Sequence, residues 1–488
     1  MRKIFIFFLF LSILFSSVIY YGTIGEPANL DPAVQWDNYS SLIVSNIYDR
    51  LIELDPSTNV LIPSLAIKWR SFRGGTRWLF YLRKGVKFQD GTEFTSRAVV
   101  LSFKRQLGKL PAAKVLFPLV KDVRAVDKYT VEFILSEPFS PFLYSLTTPQ
   151  ASIISPAALS KGGIEKDPVG TGPYKLISWK KGKRLVLERN SYYWKKKNIV
   201  NKIVFIKGES EALYNLFLAE KLDIIDTISI SRVEGLKFSR IFALYSRPIA
   251  SFAFFVFNSH DKWTSKKEVR EALARLWNPE WLRSVFGNYV KPINRLLSFF
   301  DGEEGENYFS PRKAKALIKG KGLAGKVKIS LVCAKSQLLL KVLKTYAATA
   351  RRAGIDIKII PVGKEEYLER IKNNRYGLML SLWILDFYDP DSLFYSLISK
   401  EVIEGGVPNI FPFNDSQVRS LIERARREFN MKKRFKLYRK AEDLILKLHY
   451  LIPMYVNNFM LLYNKKIENI KVDPTGIVIL SELKKNEE

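Results

Sequence analysis

Residues 381–394 read SLWILDFYDPDSLF, and Asp386, Asp389 and Asp391 fall there within six positions of one another. They are the only charged residues between Tyr376 and Ser399, in a chain with 78 Lys plus Arg, 48 Asp plus Glu and a formal charge of +30. At that basic density about four Lys or Arg would be expected in the span. Three carboxylates without a local counter-charge can serve as metal ligands, as catalytic acids or as a docking point for a cationic group. A calcium loop of the EF-hand type takes acids at positions 1, 3 and 5 with Gly at 6. The spacing here is 1, 4 and 6 with Pro390 intervening, so that reading fails. Two carboxylates facing each other across a cleft could hydrolyse a glycosidic bond, and a secreted glycoside hydrolase stays open as an alternative. Asp389 and Asp391 flank Pro390, where a turn and a helix cap call for short acidic side chains. Asp386 instead follows Leu-Trp-Ile-Leu, which sets it against an apolar wall.

Other chemistries recede. The two histidines, His260 in a polar loop and His449 after a Leu/Ile-rich helix, read as solvated or structural. No Gly-x-Ser-x-Gly elbow occurs, and GESEA at 208–212 reads as a helix cap with Ser210 at its start. Cys333 is the only cysteine and lies in an apolar strand, which excludes an intrachain disulfide and a cysteine-based zinc site. GKGLAGKV (320–327) lacks the Ser/Thr of a phosphate loop and runs from helix to strand, the reverse of the required order. GTGPY (170–174) lacks the third glycine of a dinucleotide fingerprint. No catalytic residue, metal site or cofactor is expected.

The elements that must position Asp386 are legible from periodicity. SPRKAKALIKG has Ser310 at a cap, Pro311 at the first helical position and Gly320 past the end. KVKISLVC follows as a strand, QLLLKVLKTYAATARRAG as a helix, IDIKIIPV as a strand, KEEYLERIKNN as a helix and YGLMLSLWI as a strand. This β-α-β-α-β run predicts a parallel sheet with right-handed crossovers. Asp386 then falls just past the carboxyl end of its third strand, the edge where open α/β sheets bind ligands. Earlier, KIVFIKG, SEALYNLFLAEKLD and IIDTISI predict a βαβ unit, and IASFAFFVFNS (249–259) a strand buried on both faces. Strands are expected over 78–88 and 130–136, a helix over 94–107, and helices over 417–448 with a break near Asn430. YLIPMYVNNFMLLYNKKI closes the chain's core as a strand.

At 488 residues two or three domains are required. Gln is scarce, at six residues, while Lys, Arg and Glu abound, a bias shared with proteins of hot environments. MRKIFIFFLFLSILFSS has a basic start, an apolar run from Ile4 to Phe15 and small residues after it, the form of a secretory signal peptide cut near Ser17. Retention as an uncleaved membrane anchor is the alternative. Either places the protein in the periplasm or at the cell surface, which argues against nucleic acid as a partner. KKGKRLVLERNSYYWKKK (180–197) accordingly reads as a hairpin with solvated basic tips, and the positive surface favours anionic lipid headgroups.

Several stretches together resemble the peptide- and nickel-binding family of extracellular solute-binding proteins (family 5), which serve ABC importers. YGTIGEPANLDP (21–32) is similar to its opening segment and WLFYLRKGVKFQDGTEFTSRAVVLSFKR (78–105) to its signature region. DPVGTGPYKLISWKKGKRLVLERNSYYW (167–194), FAFFVFNSHDKWTSKKEVREAL, YFSPRKAKALIKGKG, the W-x-x-D-x-x-D-P of Trp383 to Pro390 and IPMYVNN (452–458) follow in the family's order. Arg97-Ala98 replaces the family's usual acidic pair, and Asn278-Pro279 stands where Asp-Arg or Asp-Lys is common.

The resemblance implies an α/β fold of the periplasmic-binding-protein type II, with two lobes closing about a hinge and an extra mixed α/β domain. The implied division is a signal peptide at 1–17, lobe I at 18–47, 168–259 and 463–488, the extra domain at 48–167 and lobe II at 260–462. It implies a monomeric binder rather than an enzyme, taking short peptides and handing them to an ABC permease. An oligosaccharide or a metal chelate in the same fold is the nearest alternative. In the family's peptide binders an aspartate at the Asp386 position pairs with the ligand's α-ammonium. Trp383 would wall the first pocket, and Glu26 and Tyr455 fall at positions that approach the ligand in some members.

Overall fold

The computed structural model describes residues 17–109, 111–195, 200–226, 230–399 and 415–486. The apolar run at 4–15, and with it nearly all of the expected signal peptide, lies outside the described residues. Among the described residues, no helix is long and apolar enough to cross a membrane.

The chain opens with β1 (Val18–Thr23) and α1 (Asn38–Ile47), the helix capped by Asp37, whose carboxylate accepts from Ser40 N. A four-stranded antiparallel sheet follows, built from β2 (Ala66–Phe72), β3 (Arg77–Leu82), β4 (Val120–Asp127) and β5 (Thr130–Leu135) in the order β2-β3-β5-β4. Helix α2 (Ser96–Lys109) comes between β3 and β4 in sequence. The strand expected over 78–88 stops at Leu82, because the chain turns through Gly85 at φ 76°, where a side chain would be strained. The core beneath this sheet draws on residues from Leu51 to Ile153, whereas Ile154, Ala158 and Ile164 pack with β1 and α1.

The hairpin read at 180–197 is β6 (Tyr174–Lys180) and β7 (Arg184–Arg189), with Lys181, Gly182 and Lys183 between its strands. It leads into β8 (Lys202–Lys207), α3 (Ser210–Leu218) and β9 (Ile224–Ile225). Glu209, not Ser210, occupies the cap position of α3 and makes no side-chain cap bond, which corrects the sequence reading. Of IIDTISI (224–230), Ile224–Ile225 pairs as strand, while 227–229 lie outside the described residues.

β10 (Phe242–Phe257) begins seven residues before the expected strand and runs for 16 residues. Its alternate side chains divide between two cores: Phe252, Phe254 and Val256 in one, Ala253, Phe255 and Phe257 in the other. That is the two-faced burial expected of an unbroken apolar run.

The crossovers follow in the order read: α4 (Pro311–Gly320), β11 (Val327–Ala334), α5 (Gln337–Arg352), β12 (Ile355–Val362), α6 (Lys364–Lys372) and β13 (Leu378–Ile384), although Gly320, expected past the end of α4, is its last residue and Lys321 the C-cap. β11 pairs parallel with both β12 and β13. Ser310 stands at the cap position of α4 but makes no side-chain bond there. After α7 (Pro390–Ile398) come α8 (Ser416–Arg427) and α9 (Met431–Lys447), and Asn430 at the expected break caps α9 through Lys433 N. β14 (Leu451–Asn464) returns across the molecule.

One continuous sheet results, in the order β12-β11-β13-β10-β14-β9-β1-β8-β7-β6, with Val290–Pro292 pairing β14 as an eleventh strand. β10 and β14 are the two long strands common to both halves, and their ladder breaks between Pro248 and Phe252. Proline lacks an N–H donor, so the break falls where the ladder must lose a bond. There Ala250 N donates to Pro474 O and its carbonyl accepts from Leu385 N, at 2.7 and 2.9 Å. The last turns of the chain, through Leu480 and Leu483, pack into the core of the β1 half.

Candidate functional site

β13 ends at Ile384, and the chain then turns sharply into α7. Asp386 N donates to Ser392 Oγ at 3.0 Å, which folds the segment back onto the helix it precedes. Asp389 caps α7, accepting from Asp391 N at 2.8 Å, with Pro390 at the first helical position. The cap and turn read from sequence are therefore present.

The three acids have separate fates. Asp389 is fully buried and is gripped by both terminal nitrogens of Arg434, Nη1 to Oδ2 at 2.7 Å. Asp391 accepts from the Tyr438 hydroxyl at 2.9 Å and lies 3.2 Å from Arg426 Nε. Burial raises the Asp391 pKa, opposed by the pull of Arg426. The missing local counter-charges of two acids are thus supplied from α8 and α9.

Asp386 instead lines a cavity of about 370 Å³. Its walls come from distant parts of the chain: the end of α1 and residues after it, 147–149, 193–195, the Asp386–Phe387 segment and 471–482. Six carboxylates line it, those of Asp49, Glu53, Asp55, Asp386, Asp473 and Glu482, against the cations Arg50, Lys195 and Lys471. In a chain of +30 this is a local reversal of sign. Lys195 pairs with Glu53 at 2.7 Å and Lys471 with Glu482 at 3.4 Å. Arg50 Nη1 donates to Ser45 Oγ at 3.2 Å. Asp49 accepts from Thr171 and from the Trp194 indole, both at 2.8 Å, and burial raises its pKa against the opposing charge of Lys195. Asp473 accepts from Thr475 and Ile477, and burial likewise raises its pKa.

Beside Asp386, Phe387 is 4% exposed and packs into the core of the four-stranded domain. Tyr388 next to it accepts from Asn59 Nδ2 at 3.2 Å. Farther along, Ser140 N donates to Arg426 O at 2.8 Å. The loop carrying Asp386 is therefore docked against a different domain from the one that builds its strand.

The remaining candidates lie elsewhere. Trp383 sits on β13 opposite Phe252, half-buried against the core beside it, and is not part of the cavity wall. Glu26 pairs with Lys207 at 2.9 Å and accepts from Gly182 N at 2.8 Å, which together hold its pKa low. It lines a small apolar recess with Tyr39 and Trp179 that shares no residue with the Asp386 cavity. Tyr455 is 7% exposed, in register with Ala253 and Pro292, and stacked on Phe286. Burial pushes its phenol up to about 12. None of these three is among the residues that line the Asp386 cavity. Arg50 and Asp473, which do share its cavity, were not signalled by any spacing in the sequence.

A continuous sheet shared by two lobes, an added antiparallel domain and a cavity walled by all of them define a cleft-type solute-binding protein. The chain belongs to the bacterial extracellular solute-binding proteins, family 5, whose middle region matches residues 60–404. It is 28% identical over 509 residues to the dipeptide-binding protein of Escherichia coli strain K12, covering 94% of this chain and 93% of that one. It is 26% identical to the peptide transport periplasmic protein SapA of Salmonella typhimurium, covering 89% and 85%. Among solved structures, the ABC transporter-associated periplasmic binding protein DppA of Helicobacter pylori, in complex with the peptide STSA, superposes with a TM-score of 0.80. That match has 23% identity and covers 96% of this chain and 98% of that one, so the fold is shared end to end.

Proposed function

We propose that this protein captures short free peptides in the Asp386 cavity, outside the cytoplasm, and delivers them unchanged to the permease of an ABC importer. The observation that carries the reading is the Asp386 cavity itself, rich in carboxylates within a strongly basic chain. A peptide's α-ammonium is protonated at neutral pH. Enclosed away from water, it requires a paired charge. Asp386 at the carboxyl edge of β13 supplies one, and the neighbouring strand ends offer main-chain groups that read a peptide backbone whatever its side chains. A volume of about 370 Å³ suits a ligand of two or three residues. The names of the curated relatives, a dipeptide-binding and a peptide-transport protein, support the same substrate class. Trp383, Glu26 and Tyr455 have at most an indirect part in this reading.

Calorimetric titration tests it. Asp386→Asn should weaken binding of a free dipeptide by about 2–5 kcal/mol, or roughly 30- to several-thousand-fold. The N-acetylated dipeptide should bind the unaltered protein correspondingly weakly. Equal affinity for the free and acetylated forms would remove the peptide reading, and any turnover of the ligand would remove the binding-protein role.

A further inference from the structure

The excess positive charge is not used by the cavity, and one end of the sheet gathers part of it beside exposed apolar side chains. β1 begins there at Val18, and the Lys485 ammonium bonds both Val18 O and Asp223 at 2.9 Å. Asn464 N donates to Asp223 O, Lys465 N to Ile241 O, and Lys465 Nζ to Ser239 O, at 2.8, 2.8 and 2.9 Å. These contacts tie the start of β1, the end of β14 and the segment before β10 into one surface. On it Phe238 is 91% exposed, between the exposed Lys237 and Arg240. Ile241 and Tyr20 are also exposed large hydrophobics of these segments, and Leu216 and Leu218 are exposed at the end of α3, which leads into β9. Lys221, Lys465 and Lys484 are exposed as well. Glu220 and Glu468 at this end each bond an asparagine, Asn464 and Asn486.

Single exposed apolar residues need no explanation, so it is the grouping of several on one surface that marks an interaction site. The grouping of an aromatic tip with flanking cations is the pattern that seats a peripheral protein in an anionic lipid interface. Residues 1–16, whose run Ile4–Phe15 is apolar, precede β1 in the sequence. We infer that the surface around Lys237, Phe238 and Arg240 rests on anionic phospholipid headgroups, with the Phe238 ring entering the interface. The cavity is then held clear of the bilayer. From Phe242 to Ala250, whose carbonyl accepts from Leu385, β10 extends eight residues, or about 26 Å.

Vesicle co-sedimentation of the full chain tests this, with vesicles of phosphatidylcholine alone and with a third of the lipid replaced by phosphatidylglycerol. The unaltered protein should prefer the anionic vesicles, and raised salt should erase the preference. Lys237→Ala with Arg240→Ala should reduce that preference by roughly 25-fold, about fivefold per charge. Phe238→Ser should weaken binding several-fold while solute affinity stays unchanged in every variant. Any contribution of residues 1–16 is common to all variants and cancels in the comparison. A Phe238→Trp protein supplies an independent reading, its added emission shifting to the blue on anionic vesicles. Equal binding to both vesicle types, variants that match the unaltered protein, or a Phe238→Trp emission that does not move would each overturn the inference. Capture of a lipid-free, detergent-solubilised permease that the same substitutions abolish would also overturn it, reassigning the surface to a protein partner.

Discussion

Arg434 closes on Asp389 across 45 residues of sequence, both side chains 1% exposed, and so neutralises the acid that caps the helix after Asp386. The pair does two jobs at once. It fixes the start of α7, and it holds α9 against the loop on which Asp386 is mounted. A buried ion pair adds little net stability when formed but is costly to break from one side, because the remaining charge is stranded. Arg434→Met should therefore destabilise the protein by about 3–5 kcal/mol in urea denaturation. Adding Asp389→Asn, which keeps a cap and removes the stranded charge, should recover much of the loss. A single-variant cost below about 1 kcal/mol would contradict the account.

Phe387 ties the ligand loop to the four-stranded domain, so its removal should be felt at the cavity as well as in stability. Truncating a buried phenylalanine costs about 3–5 kcal/mol. Phe387→Ala should lower Tm and also weaken solute binding, with a larger radius of gyration by X-ray scattering as the docked domains part. Lowered Tm with unchanged affinity and radius would mean that the ring is packing alone.

Glu442 gives a pH dependence with a definite sign. It is buried, accepts from Leu297 N at 3.2 Å and from Leu296 N, and has Arg295 at 3.3 Å. Burial raises its pKa to about 7 against the pull of Arg295. The folded state therefore keeps a proton that the unfolded chain releases near its ordinary value of 4.5. Its contribution is fully present below about 4.5, declines as pH rises and is gone above about 7. Glu442→Gln keeps the acceptor oxygen and cannot titrate. The Tm difference between unaltered protein and variant should accordingly move in the variant's favour from pH 4.5 to 7 and level off beyond. A difference that is flat across that window would refute the assignment.

Cys333 lies in β11 with no exposure, and burial pushes its thiol up to about 11. An aromatic disulfide reagent at pH 8 should leave it unmodified in the folded protein and label it fully in denaturant. Rapid labelling in native buffer would show that β11 opens locally.

The order of strands and helices around Asp386 was readable because local periodicity and capping depend on neighbours a few positions apart. The two-faced burial of β10, the break at Asn430 and the position of Asp386 past β13 all follow from such short-range rules. Ser210 and Ser310 show their limit: Ser210 falls one position inside its helix, and Ser310 reaches the cap position without making a side-chain bond there. The sequence also determined the family, since its motifs recur in order over most of the chain. Only the tertiary structure decided the electrostatics. Arg434 and Arg426 reach Asp389 and Asp391 because α8 and α9 pack on α7, and Lys207 takes Glu26 because β8 lies beside β1. The cavity at Asp386 is walled by α1, the Phe387 loop and the last turns of the chain, segments separated by hundreds of residues. Charge pairing acts over a few ångströms in space, whereas sequence spacing records only separation along the chain. That is why three acids without neighbours in sequence became one helix cap, one buried acceptor and one carboxylate at a cavity.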